Sequence, residues 1–306
     1  MAAVDVSGNP TGLRFGLFLS QAGKSLSQVF DEYQMAEDLG FDHAWLVDHL
    51  VDTDAPPSAP MLEAWTLLAA IAERTRRIRL GVLVSSNTFR HPAMLLKEAV
   101  NVDHISHGRL ILGLGAGWHA DEHRRYGIPL PPPGERVDRF AEAVEIISLL
   151  MAHERTTYAG RYYQLDDAPL EPRPIQQPRI PILIAAHRPR MLRLAAAYAD
   201  QWDTFAALPD TATDGVRTDL AERIGALDAA CREIGRDPAE IRRSTWAKAE
   251  SALRDEGSYL DFVNQHRALG FTDFSTTGPS AAQLPLVRHL AEQMIPHLRG
   301  EPHANR

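Results

Sequence analysis

Two short stretches of the chain hold residue types that acid–base and ligand-binding chemistry need. One is Asp48-His49, which ends the run GFDHAWLVDH; the other is GLGAGWH at 113–119, with glycine at every second position before Trp118 and His119. A histidine titrates near neutrality, so a positioned one can give or take a proton, and a neighbouring carboxylate can orient its ring. Glycines alternating along a strand leave one face of the backbone bare, which suits a ligand lying against it. They equally suit a buried strand whose small residues let neighbours pack.

The same spacings argue against several chemistries. A dinucleotide fingerprint needs a third glycine where this chain has Trp118, and neither a G-x-S-x-G elbow nor a Walker loop occurs. Asp48, His49 and His119 form no tight ligand cluster in the sequence, so no metal is expected. A net charge of −8 over 306 residues argues against nucleic acid or an anionic membrane as the main partner. The single cysteine, Cys231, precludes an internal disulfide and reads as helix packing in a reducing compartment. No basic flank and apolar core open the chain and no run approaches membrane-spanning length, so a cytoplasmic protein is expected.

Apolar periodicity says which elements must position these residues. Leu13–Leu19, His43–Val47 and Ile78–Val84 read as short buried strands, and Leu110–Leu112, just ahead of the glycines, begins a fourth. Helices fall between them: one from Leu26 to a Gly40 cap, one over Leu62–Ile71, and one over Pro92–Ile105 with proline in its first turn. The basic string ERTRRIR at 73–79 reads as a solvated helix end, where cations suit the dipole.

Between Trp118 and Pro181 the alternation breaks. PLPPPG at 129–134 precedes a helix at about Glu135–Ala152, and Tyr158 with Arg161–Leu165 is expected to form a short hairpin, Tyr162 or Tyr163 walling a pocket or pinning the excursion. Strands Ile182–Ala186, Gln201–Phe205, Ile241–Ala247 and Phe271–Thr276 then alternate with helices Pro189–Ala199, Thr218–Ile234, Tyr259–Leu269 and Ala281–Leu298. Eight strand–helix repeats predict an α/β (βα)8 TIM barrel as one domain over 13–306. An insertion at about 119–180 lies between strands four and five, and residues 1–12 form a flexible lead-in.

In such a barrel the residues just past each strand share one mouth. That gathers Ser20-Gln21, Asp48-His49, Ser85–Thr88, Ala116–His119, Ala186–Arg190 and Thr276–Gly278. A glycine-lined wall, a histidine and the helix start at Pro189 suit a bulky planar organic cofactor. Trp45, Trp65, Trp202 and Trp246 read as packing, the last two also placed where they can face the mouth.

GFDHAWLVDH and the run from Thr66 to Arg136, which includes RLGVLVSSNTFRHP and GLGAGWHADEHRRYG, closely resemble the luciferase-like monooxygenase superfamily. Within it they resemble the oxidoreductases that use the deazaflavin coenzyme F420, in detail over residues 13–205. The resemblance implies a barrel with the coenzyme's tricyclic ring in its mouth. His49 then sits near the reactive ring carbon as proton donor or acceptor, with Asp48 orienting it or capping the following loop; a structural histidine is the alternative, and His119 is a second acid–base candidate.

By the same resemblance, Leu83-Val84 matches a bulge with a non-proline cis peptide behind the ring, and Asn87, Gly115, Ala116 and Gly117 fall where relatives approach the ring or its tail. Ala185, Ala186, His187 and Arg188 match a usually glycine-rich turn that receives the phosphate end. Arg188 or Arg190 can add charge-assisted bonds there or crowd the phosphate. Trp118 stands where some dehydrogenase relatives carry an acid, so Trp118 and His119 imply a more apolar pocket than a sugar phosphate needs.

The implied activity is hydride transfer between F420 and a small organic substrate at a C=C, C=N or C=O/alcohol centre, which the VLVSSN strand end favours. FMN-dependent oxygen insertion with a partner reductase is the alternative, and a non-catalytic barrel used for binding or assembly is the third reading. Family members also commonly dimerise through their outer helices.

Overall fold

A computed structural model of the chain describes residues 11–53, 56, 58–205 and 220–301. Nine parallel strands, β1 (Arg14–Phe18), β2 (His43–Leu46), β3 (Arg79–Val82), β4 (Ser85–Ser86), β5 (Leu110–Gly115), β8 (Ile182–Ala185), β9 (Gln201–Asp203), β10 (Arg242–Ala247) and β11 (Asp273–Thr277), run in the order β3-β2-β1-β11-β10-β9-β8-β5-β4. An added β3–β5 pairing closes the sheet. Both β3 and β4 pair with β5, so they are one barrel strand broken at Leu83–Val84, and the closed barrel has the eight strands expected.

Helices α1 (Leu26–Asp38), α2 (Ala64–Arg74), α3 (Pro92–Ile105), α6 (Pro189–Tyr198) and α7 (Leu220–Glu233) alternate with the strands, as does α9 (Glu256–Arg267) after the one-turn α8 (Ala249–Ala252). Ser25 and Gln28 form a capping box at the start of α1, and Pro92 opens α3 where its missing amide has no partner to lose. The expected start at Tyr259 moves back to Glu256, because the Asp255 carboxylate accepts the Ser258 amide at 2.7 Å. Thr218, the expected start of α7, lies outside the described residues.

The last helix is not continuous as expected. A 3₁₀ turn at 281–283 leads into α10 (Leu284–His289), a π turn at 290–294 and α11 (Ile295–Arg299). Pro296 has no amide to bond the Glu292 carbonyl, so the ladder widens just ahead of it. At the other end of the chain, residues 1–10 of the expected lead-in lie outside the described residues. Gly12 is held, its carbonyl accepting from Arg242 at 2.7 Å.

Between β5 and β8 the chain makes α4 (Ala120–Tyr126), α5 (Pro133–Ala152) and a hairpin of β6 (Arg155–Ala159) with β7 (Gln164–Pro169). Helix α5 and the hairpin were legible; α4 was not, being a single short stretch that ends at Gly127 with φ +66°.

Period-two alternation divides each barrel strand between two cores. Phe15 and Leu17, Ala44 and Leu46, and Leu110, Leu112 and Leu114 face the helices in the main core. Trp45, Ile111 and Leu183 fill the lumen, with half-buried Phe18, Leu83 and Val84 above them towards the mouth. Large lumen side chains fit because opposing positions are glycine: a Cβ on Gly81 would lie 2.8 Å from the Trp45 ring, and one on Gly16 2.1 Å from His43.

The basic string at 73–79 is less solvated than expected. Glu37 accepts the backbone amides of Arg76, Arg77 and Ile78, and the Arg79 side chain donates to Gln176 at 3.0 Å. Arg109 closes the same end of the barrel by donating to the carbonyls of Ala72, Thr75, Ile78 and Ser106. The carbonyls left over at the end of α2 are thereby satisfied.

A polar layer crosses the lumen. His43 Nε2 pairs with Ser275 Oγ at 3.0 Å, and burial lowers that imidazole to about 4, keeping it neutral. Asp203 accepts from Ser244 Oγ at 2.7 Å; burial, with Asp273 nearby, raises it from 3.8 to about 7 against the pull of that bond. A carboxyl so raised holds a proton that the unfolded chain releases, so its contribution to stability falls as pH rises through that window. Asp203→Asn is therefore expected to gain thermal stability relative to the native chain as pH rises from about 4 to about 7. Melting curves check this, and a difference that stays flat with pH refutes it.

Candidate active site

The break in the third barrel strand shapes one wall of the mouth. The peptide between Leu83 and Val84 is cis, at the position implied by the family resemblance. Its neighbours are the glycines of β5: a Cβ on Gly113 would stand 2.0 Å from the Val82 carbonyl oxygen, and one on Gly115 2.5 Å from Val84 Cγ2. The space expected to receive a ligand at these two positions is thus filled by the protein's own bulge. Gly117 takes φ +83°, and a Cβ there would lie 2.7 Å from both Ser86 Oγ and Thr88 Oγ1. The turn carrying Ala116 is pinned on both sides, since Asn87 donates its amide to Gly115 O at 3.0 Å and Arg136 donates to Gly117 O at 2.7 Å. Asn87 Nδ2 also reaches Tyr163 Oη at 3.3 Å, so Tyr163 ties the hairpin to this wall.

Asp48 and His49 leave β2 in different directions. Asp48 Oδ2 accepts the Ser86 amide at 2.8 Å and Arg90 Nη1 at 2.7 Å, which ties the second strand end to the third. Burial pushes the Asp48 carboxyl up while Arg90 and the Ser86 amide pull it down. Orientation of His49 comes from Glu122 instead of the expected Asp48. Its Nδ1 lies 3.0 Å from Glu122 Oε1, and Glu122 Oε2 accepts the Leu50 amide at 2.8 Å. Burial raises the Glu122 carboxyl, but the His49 and Leu50 bonds outweigh it and hold the group below its ordinary value.

The expectation of no tight histidine–carboxylate cluster does not hold. His49, His119 and Glu122 bring their ligand atoms within 4.8 Å of one another, because the loop after β2 meets α4. Trp118 is 57% exposed and sets its ring edge-on to both imidazoles, at 5.7 Å from His49 and 4.9 Å from His119. Phe18 stacks on Trp246 at 5.3 Å on the far side, with Phe205 next to Trp246. Trp246 therefore faces the mouth, whereas Trp202 is fully buried and donates to Ala186 O at 2.9 Å.

Ala185 ends β8, the Ala186 amide still donates to Asp203 O at 3.2 Å, and in the turn that follows His187 Nδ1 meets Thr204 Oγ1 at 2.9 Å. Burial, with Arg223 and Arg188 beside it, lowers His187 to about 4. Arg188 is exposed, and Arg190 is drawn to Asp138. Among the described residues a further cation, Arg223 from α7, faces this turn from inside, itself buried and donating to Thr204 Oγ1 at 2.5 Å.

A family model described as luciferase-like monooxygenase matches residues 13–256. The chain belongs to that family. Among curated relatives it is 36% identical to an F420-dependent glucose-6-phosphate dehydrogenase of Microbacterium testaceum, over 75% of this chain and 66% of that protein. It is 28% identical to a protein of the same name from Intrasporangium calvum, over 89% of this chain and 95% of that one. Its fold matches an F420-dependent secondary alcohol dehydrogenase in complex with an F420–acetone adduct, with a TM-score of 0.78 at 20% identity over 92% of this chain and 97% of that one.

Within this luciferase-like barrel, sequence reasoning missed Glu122, Arg223 and the Phe18–Trp246 stack. Glu122 carries a local signal, since it follows His119 by three residues and would share its helix face. Arg223 had none, lying in an amphipathic helix far along the chain. Glu122→Ala is expected to destabilise the protein by about 1–3 kcal/mol, because the Leu50 amide and the His49 ring lose their acceptor. Glu122→Gln keeps an acceptor for Leu50 and is expected to cost less. Denaturant unfolding distinguishes them, and no loss in either variant would show that the pairing contributes nothing.

Proposed function

We propose that this protein is an F420-dependent oxidoreductase that moves a hydride between the coenzyme and a small organic substrate at a C=C, C=N or C=O/alcohol centre. The observation that carries the reading is His49, held by buried Glu122 at the barrel mouth next to the Leu83–Val84 bulge. Relatives named for F420 support the choice of coenzyme.

The residues present fit that group. Half-buried Leu83, Val84, Phe18 and Trp246 offer a flat apolar bed for a tricyclic ring. The amides that open α6, with Arg223 behind them, suit an anionic tail, so the charge expected from Arg188 is supplied from inside the turn. Bound there, the deazaflavin supplies or takes up the hydride. Glu122 occupies His49 Nδ1, so Nε2 is the ring nitrogen that holds or moves the accompanying proton. Trp118 and His119 flank the substrate, and the tryptophan favours an apolar one over the sugar phosphate in the relatives' names. A single domain over 13–306, a homodimer packed through outer helices and a cytoplasmic setting complete the reading.

Fluorescence titration of the purified protein with F420 and with FMN tests the coenzyme. Saturable F420 binding is expected. FMN binding in its place would make the protein an FMN monooxygenase, and binding of neither would leave a non-catalytic barrel. His49→Ala is expected to lower kcat by about 10²–10⁴-fold with coenzyme affinity little changed; unaltered turnover would remove His49 from the mechanism. Arg223→Met is expected to weaken F420 binding by about 10–100-fold, the equivalent of one charge-assisted bond. Unchanged affinity in that variant would place the coenzyme's tail elsewhere.

A further inference from the structure

We propose that His49, His119 and Glu122 form a binding site for one borderline divalent transition-metal ion, such as Zn²⁺, at the barrel mouth. The three side chains come from two elements brought together only by the fold. His49 follows β2, while His119 and Glu122 are three residues apart at the start of α4 and share a face.

The three donor atoms lie within 4.8 Å of one another, so small side-chain rotations of the two imidazoles bring them into ligand range of one ion. His49 Nδ1 and His119 Nδ1 lie 3.0 and 3.7 Å from the same oxygen, Glu122 Oε1. Zinc bonds of about 2.0–2.1 Å at tetrahedral angles set ligand atoms about 3.3–3.4 Å apart, a separation these two distances bracket. His119 Nδ1 is buried without a hydrogen-bond partner, although its ring stands beside a carboxylate. A metal ion in the centre would satisfy it.

Support around the donors is also in place. The Leu50 amide holds Glu122 through Oε2, which leaves Oε1 directed at the two imidazoles. Asp48 is engaged by Arg90 and Ser86 and stays outside the set. The two histidine side chains keep 19% and 18% of their surface exposed, so water or a small ligand can reach a fourth coordination position from the mouth. Two imidazoles and one carboxylate with an open position favour Zn²⁺, Co²⁺ or Ni²⁺ over Mg²⁺ or Ca²⁺, which need more oxygen ligands.

Binding displaces the His49–Glu122 hydrogen bond, so the ion and that pairing exclude one another. On the coenzyme reading above, the ion also fixes the remaining proton on Nε2 and stops His49 from accepting one. The binding itself requires no coenzyme, which separates its test from the test of that reading.

Co²⁺ is titrated into untagged, coenzyme-free protein and followed by visible absorption. The expected result is a one-to-one complex with the intense bands of four- or five-coordinate cobalt, displaced by Zn²⁺ and not by Mg²⁺. His119→Ala is expected to weaken Co²⁺ binding by more than about 100-fold, beyond the 10–100-fold that loss of an outer-shell partner brings. If that variant does not fold, as judged by circular dichroism, His119→Asn replaces it. The spectrum of hydrated cobalt throughout, displacement by Mg²⁺, or undiminished binding in the folded variant would each overturn the site.

Discussion

The mouth of this barrel depends on how its third strand fits against its fourth. The chain breaks between β3 and β4 at Leu83–Val84, and the bulge needs room that only residues without side chains can leave. Gly113 and Gly115 leave it, and any Cβ at the first would collide with the Val82 carbonyl. Because the fit is steric and close, β4 resumes pairing in a single register, Ser85 opposite Leu114. The Ser86 amide then reaches Asp48, and the Asn87 amide reaches Gly115. One packing constraint thus fixes the ends of strands two, three and four relative to each other.

A buried carboxylate carries that order into the insertion. Glu122 spans from α4 to the loop after β2 and orders both the Leu50 backbone and the His49 ring. Asp48 is adjacent to His49 in sequence but serves the strand ends, since successive residues leave a strand in opposite directions. Division of labour between these two acids lets His49 turn into the mouth while the backbone beneath it is clamped. It also places Glu122 where it both supports the imidazole proposed to transfer a proton and is a candidate metal ligand.

Charge at the opposite rim is arranged by the same logic of burial. Arg188 and Arg190 sit at the helix start but face solvent or Asp138, where a positive charge is screened. Arg223 comes from a helix later in the chain and points inward at Thr204, in surroundings that screen it less. The arginines that draw the eye in AAHRPR therefore point away from the turn's interior, whereas one invisible to local pattern points into it.

The barrel was legible in the sequence because each strand is a short apolar run, each helix has a one-sided stripe, and their strict alternation admits few closed arrangements. Strand ends, and with them Asp48, His49, Asn87 and the AAHRPR turn, followed from that alternation. The break at Leu83–Val84 followed from family resemblance, and the continuous final helix was wrong where Pro296 interrupts the ladder. What local pattern could not supply were pairings across large separations: Glu122 with His49, Val84 with Gly115, Arg223 with Thr204, Phe18 with Trp246. By itself the sequence determined which residues stand at strand ends, since periodicity is local. Only the tertiary structure decided which of them touch, because closing a barrel sets distances between residues that no spacing along the chain encodes.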